Sequence, residues 1–314
     1  MRYALWPRPT FDGNLDRVAM GESFNTKWFV ASLRCPDCGS AMRISGRIEC
    51  SVCGYGTMLD PPVDLRPSRP RRVPIDLPVV STPPDQILKA VDIGNPQITY
   101  DGPPALRDSR ELISEMMRSV QPNGRVLDLG CGPRDQAKPI GHVGYRYVGV
   151  DISSPSADLL ADAHSLPFRD GSFECVFSYA VHQHLYSPFI AIREIERVLS
   201  PGGVYIGTVS QGEPFNASYF HHTTWGLASL TESCTAMRLS RLWCGPGTLK
   251  SLSRIGRYPR VVKMLLAAVD QIDTRAPWLA PRRQAWSKRD KQFDELYRAA
   301  TICFVMEKAN RASP

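Results

Sequence analysis

Between residues 126 and 170 the chain reads VLDLGCGP, then YVGVDIS, then ADAHSLPFRD, and that succession leaves few folds open. Val126, Leu127 and Leu129 make an apolar strand run that breaks at Gly130 and Gly132. Glycines there let the backbone turn sharply and approach a bound group with no Cβ in the way. A second apolar run, Tyr147 to Val150, ends in Asp151, 21 residues beyond Gly130. An acid at that spacing, at a strand end, is a recurring device for holding the two hydroxyls of a ribose. The third piece supplies another acid, Asp162, followed by Ala163. Asp135 stands where a Gly-x-Gly-x-x-Gly dinucleotide-binding turn carries its third glycine, which argues against a pyrophosphate seat. A Gly-x-Gly turn alone marks only a strand-to-helix junction; the ordered set, with its flanking periodicity, predicts an α/β sheet protein.

In this order, Asp-Leu-Gly-Cys-Gly (128–132), Asp151 and Asp-Ala-x-x-Leu-Pro-Phe (162–168) resemble the class I S-adenosylmethionine-dependent methyltransferases. The nearest group is the type 11, or ubiquinone/menaquinone-biosynthesis-like, set. Residues 193–209, REIERVLSPGGVYIGTV, are similar to the helix, Pro-Gly-Gly turn and fifth strand of that family. The resemblance covers about residues 124–210 and fades on both sides. It implies a Rossmann-like sheet of seven mostly parallel strands with helices on both faces. It also implies roles in binding S-adenosylmethionine. Asp128, Gly130 and Gly132 would face the methionine portion, Asp151 would take the ribose hydroxyls, and Ile152 would pack on the adenine. Asp162 and the Ala163 N–H would read the adenine edge, and Tyr179 with Ala180 would lie under the sulfonium end.

With 314 residues and 43% hydrophobic content, the chain has material for about two domains with ample core. It has no run of 18 apolar residues and no apolar leader at its start, so a cytoplasmic protein with no transmembrane segment is expected. The formal charge of +7 allows an anionic partner without requiring one. Nine cysteines, four of them in Cys-x-x-Cys pairs, point to metal in a reducing compartment rather than to disulfides.

Those pairs, Cys35/Cys38 and Cys50/Cys53, each precede a glycine that admits the positive φ of a tight knuckle. Two knuckles brought together make a closed Cys₄ site of the structural zinc type, with residues 41–49 forming a hairpin about Gly46. A redox dithiol needs only one such pair; rubredoxin-type iron stays open as the rival metal. The stretch resembles the zinc ribbon of the small activator subunit of eukaryotic tRNA and ribosome methyltransferases. It is also similar to the module ahead of ribosomal-RNA guanine methyltransferases, although there the fourth ligand is usually histidine and here it is Cys53.

The organisation expected is a zinc ribbon at 30–66, a Pro-rich linker at 67–104, and an S-adenosylmethionine-binding domain at 105–244. A helical cap follows at 245–300 and a last strand at 301–308. Residues 106–120 have helical apolar spacing, and 236–244 suit a sixth strand. Only 11 positions separate Asp151 from Asp162, so that crossover holds a single helical turn at most and leaves the adenine side thinly covered. Residues 87–100 are the segment expected to cover it. The catalytic domain is expected to have a core separate from the ribbon.

Methyl transfer to oxygen or nitrogen often needs a base, and His182, His184, His221 and His222 are the candidates; His184 and His222 are favoured. An aromatic, histidine-bearing stretch at 215–225 suits small, sugar-like or lipid-linked acceptors, and O-methylation of such a molecule is the first expectation. The rival is an RNA methyltransferase that tracks phosphates with the ribbon, Arg69–Arg72 and the basic residues of 282–291. A catalytically silent scaffold is the third reading, and the intact cofactor residues speak against it.

Overall fold

A computed structural model of the chain describes residues 27–69, 99–100, 109–210, 235–244, 259–275 and 301–310. It begins with a short helix α1 (Lys27–Ser32), followed by the two cysteine knuckles and a three-stranded antiparallel sheet. Strands β1 (Arg43–Ile44) and β2 (Arg47–Glu49) form the expected hairpin, turning at Gly46 with φ +75°, and β3 (Gly56–Met58) pairs with β2.

The main sheet centres on β6 (Arg125–Leu129), whose last four residues are all buried, as a strand covered on both faces requires. On one side of it lie β7 (Arg146–Asp151) and β8 (Leu159–Leu160), and on the other β9 (Phe173–Ser178) and β10 (Leu199–Ser210), all parallel. Strand β12 (Thr301–Lys308) runs antiparallel to β10, and β11 (Met237–Cys244) runs antiparallel to β12. The seven strands therefore stand in the order β8-β7-β6-β9-β10-β12-β11, a doubly wound sheet with one reversed strand. Helix α2 (Ser109–Ser119) precedes β6, as its periodicity predicts, and buries Leu112, Ile113 and Met116. Helix α3 (Ala137–His142) follows the glycine turn, and α4 (Pro188–Val198) buries Ala191, Ile192, Ile195 and Val198 before β10.

Among the described residues, two short strands extend this seven-stranded sheet to nine. Strand β4 (Val63–Asp64), the exit from the ribbon, pairs in parallel with β8, and β5 (Thr99–Tyr100) pairs in parallel with β11 at the far edge. A two-residue edge strand such as β8 leaves backbone groups open, and β4 satisfies them; the Leu65 N–H then donates to the Leu160 carbonyl at 2.8 Å. The β7–β8 crossover contains no helix, in line with its length. Its exposed edge is covered by β4, whereas 99–100, the described end of the segment expected there, sits at the opposite edge.

The expectation of separate cores fails. Phe29, Leu33, Ile48, Val63 and Leu65 belong to one buried cluster with Leu127, Val150, Phe168 and Phe173. Phe29 meets the Phe168 ring edge-on at 6.4 Å, and Trp28 meets Phe173 likewise. Backbone bonds stitch the seam: the Arg34 N–H donates to Pro167 O, and the Arg169 N–H to Ser32 O. Beside them Glu194 accepts from Arg34, from Arg197 and from the Leu166 N–H. A ribbon this small has too little apolar area for a core of its own, so it borrows the flank of the larger domain.

Of the expected cap, α5 (Arg260–Arg275) is a helix with Val261, Met264, Leu265 and Val269 exposed. The basic stretch 282–291 lies outside the described residues, as do Arg71 and Arg72. No described helix is long and apolar enough to cross a membrane.

Candidate cofactor site and metal centre

The turn after β6 is held from below. Gly130 has φ +70°, and a Cβ there would stand 2.4 Å from a methyl of Val181, so both the conformation and the space demand glycine. Its N–H and that of Cys131 both donate to the Val150 carbonyl. Asp151 then ties the turn to the crossover. One carboxylate oxygen accepts the Gly132 N–H at 3.1 Å, and the other accepts the N–H groups of Ser153 and Ser154, each at 2.9 Å. The hydroxyl of Ser154 returns a bond to the Gly132 carbonyl.

Above this turn, at the carboxyl ends of the parallel strands, lies a cavity of about 370 Å³. Gly130, Asp151, Ile152, Asp162 and Ala163 all line it, so the structure brings five of the eight expected cofactor residues together. Ile152 is 53% exposed, an apolar side chain held open at the rim. The other three lie apart from its wall. Gly132 is the acceptor-and-donor point of the turn just described. Tyr179 is 43% exposed, and its neighbours Ala180 and Val181 reach the cavity instead. Asp128 is buried beneath the turn, accepting from the Tyr147 hydroxyl at 2.7 Å. Burial pushes its carboxyl up to about 7, with Asp158 and Asp151 adding to the rise.

No local pattern in the sequence pairs Arg134 with Asp158. Arg134 occupies a left-handed backbone position (φ +62°) and turns its guanidinium inward, over the Tyr147 ring, to an oxygen of Asp158 at 2.9 Å. Asp158 is buried, and its other oxygen accepts the Gly149 N–H. Arg134 is thus an internal tie between the turn and the short crossover.

His164 is a second residue whose contacts no local pattern marks. Its ring Nδ1 meets an oxygen of Asp162 at 2.6 Å, and its N–H donates to that same oxygen. Burial raises the Asp162 carboxyl, but these His164 contacts outweigh it and hold it below the usual carboxylate range. The only signal in the sequence is a histidine two residues after an acid, a spacing that permits but does not require an Asx-type turn.

The four candidate histidines separate sharply. His184, on the 3₁₀ turn after β9 (His182–His184), is exposed and lines the cavity. His182 is fully buried, with Nε2 against the Tyr205 hydroxyl and its ring beside Phe304, so it belongs to the core and not to an acceptor site. Gln183 is also buried and donates to the Ala180 carbonyl. His221 and His222, with the stretch 215–225, lie outside the described residues.

At the other end of the chain the Sγ atoms of Cys35, Cys38, Cys50 and Cys53 all lie within 4.8 Å of one another. The pairs Cys35–Cys53 and Cys38–Cys50 are 3.5 and 3.6 Å apart. A tetrahedral ion with arms of about 2.3 Å needs edges of about 3.8 Å, so four thiolates here fit a zinc-sized ion. Each knuckle closes as expected: Gly39 and Gly54 take φ near +78° and donate to the carbonyls of Cys35 and Cys50.

Residues 127–207 match the family model described as a methyltransferase domain. A demethylmenaquinone methyltransferase from Renibacterium salmoninarum is 28% identical over 182 residues, 54% of this chain and 70% of that protein. A tRNA (carboxymethyluridine(34)-5-O)-methyltransferase from Arabidopsis thaliana is 29% identical over 160 residues, 47% of this chain and 37% of that one. A 37.1 kDa protein in transposon TN4556 of Streptomyces fradiae is 36% identical over 113 residues, 30% of this chain and 31% of it. Among solved structures, the complex between the Haloferax volcanii Trm112 methyltransferase activator and a methyltransferase matches with TM-score 0.42 and 19% identity. That match covers 64% of this chain and 89% of the other. The chain spans between 31% and 45% of the length of the first four curated relatives. The sheet order, the site and the family match together define a class I S-adenosylmethionine-dependent methyltransferase domain.

Proposed function

We propose that this chain is an active S-adenosylmethionine-dependent methyltransferase that methylates a hydroxyl of a small, sugar-like or lipid-linked acceptor, with zinc in its Cys₄ cluster. The observation that carries the reading is the cavity bounded by Gly130, Asp151, Ile152, Asp162 and Ala163, whose groups suit ribose and adenine in turn. The cofactor, when bound, supplies an electrophilic methyl group on a sulfonium. The chain contributes position and proton removal, and a large share of such catalysis comes from alignment alone. Of the two described imidazoles on the cavity wall, His164 has both ring nitrogens engaged by Asp162 and Ser187, which leaves His184 to take a proton from an acceptor hydroxyl.

A second reading, methylation of RNA, is favoured by the tRNA methyltransferase among the relatives and by the ribbon. Of its basic clusters, Arg69 is the described member, and it stands 3.6 Å from the Asp37 carboxylate, which offsets its charge toward a phosphate. Incubating the full chain with methyl-tritiated cofactor and fractionated metabolites, glycolipids and RNA separates the readings. Label in metabolites or glycolipids, reduced by His184→Ala, supports the first; label in RNA transfers the assignment to the second. A chain that binds cofactor and labels no fraction is a scaffold.

A further inference from the structure

Asp162 lines two cavities at once. One is the cavity of about 370 Å³ just described, and the second, of about 360 Å³, is walled by Arg66, Arg69 and Ser165. Ile152, Asp162, His164 and Tyr186 line both, so these side chains form the partition between the two. A carboxylate in such a partition reads a base edge only if something fixes its orientation.

We infer that His164 is a positioning residue that sets the base specificity of the cofactor cavity by locking Asp162; this rests on the methyltransferase reading above. The hydrogen-bond inventory fixes the tautomer. The Ser187 N–H can only donate, and it meets His164 Nε2 at 3.2 Å, so Nε2 is the acceptor. The proton is then on Nδ1, which donates to Asp162 Oδ1. Oδ1 also accepts the His164 N–H, so both contacts hold one oxygen and the other is left for the cavity. The ring itself cannot rotate freely. Tyr186 stacks on it at 3.9 Å and 26°, and Ser187 is the N-cap of α4, anchored to the sheet through its buried face. The order runs from helix start to imidazole to carboxylate to cavity.

An acceptor oxygen fixed in this way favours a base whose edge donates at the exocyclic position, as the adenine amino group does, and disfavours one carrying a carbonyl there. The test compares S-adenosylhomocysteine with its deaminated analogue, S-inosylhomocysteine, by calorimetry on the full chain. The unsubstituted chain is expected to prefer the adenosyl ligand by about 10-fold or more, as a hydrogen bond to a charged group provides. His164→Ala should bring the two affinities within about 3-fold of each other, chiefly by weakening the adenosyl ligand. His164→Asn places an amide N–H where Nδ1 stood and should keep most of the preference, whereas His164→Gln, lacking that donor, should lose it. The Asn/Gln contrast holds even if the alanine variant folds poorly. A preference unchanged in both His164→Ala and His164→Gln would overturn this inference alone. Failure of the unsubstituted chain to bind either ligand would overturn the methyltransferase reading and this inference with it.

Discussion

Arg134 and Asp158 join the glycine turn to the crossover that follows β7, their charged atoms 2.9 Å apart in a setting that leaves Asp158 1% exposed. Removing one partner of a buried pair strands the other charge. Arg134→Met is expected to destabilise the chain by about 3–5 kcal/mol, and Asp158→Asn added to it should recover part of that loss. Denaturant unfolding of the two variants checks this. An Arg134→Met chain as stable as its parent would remove the tie from the account.

The shared core makes a stronger claim about the metal. Cys35 and Cys50 are buried in the same cluster as Leu127, Val150 and Phe168, so losing the ion should loosen more than the ribbon. Cys50→Ser is expected to release the metal and to lower the main thermal transition of the whole chain, not only to melt residues near 30–65. Elemental analysis with calorimetry reads both. Zinc at one ion per chain is expected; iron, or a main transition that ignores the substitution, would contradict the prediction.

Asp128 gives a pH dependence of known sign. Its carboxyl is raised in the folded chain to about 7 by burial, while in the unfolded chain it titrates near the usual value of about 3.9. Between these values the folded state holds the proton that the unfolded state has lost. The stability Asp128 contributes is therefore full below about pH 4 and falls as pH rises to about 7, by up to about 1.4 kcal/mol per pH unit. Asp128→Asn, which keeps an acceptor for Tyr147, should flatten that slope in denaturant titrations at pH 4.5 and 7.5. An unchanged slope would count against the buried, proton-holding Asp128.

Much of this architecture is legible in the chain. The VLDL and YVGVD runs fix two central strands, the apolar spacing of 106–120 fixes a helix, and the 11-position gap to Asp162 forecasts a crossover without a proper helix. The knuckle spacing forecasts the cysteine cluster. What stays hidden is long-range partnership. Nothing local in Val63 or Leu65 says that they complete a sheet edge nearly a hundred residues away, or that Phe29 packs on Phe168. The same limit explains the site. Arg134 and His164 carry no role in the sequence until Asp158 and Ser187 are placed beside them. Asp128 errs in the other direction: its position in the motif suggests the cavity, but Tyr147 holds it beneath the turn.

The glycine turn and Asp151 are proposed to form the seat of an adenosyl cofactor. Calorimetric titration of the full chain and of Asp151→Ala with S-adenosylhomocysteine tests it most directly. One site is expected on the unsubstituted chain and a loss of about 1.5–3 kcal/mol in the variant, roughly 10- to 150-fold in affinity, because a charged acceptor of ribose hydroxyls and of the Gly132 N–H is gone. No binding, or an affinity that Asp151→Ala leaves unchanged, would contradict it.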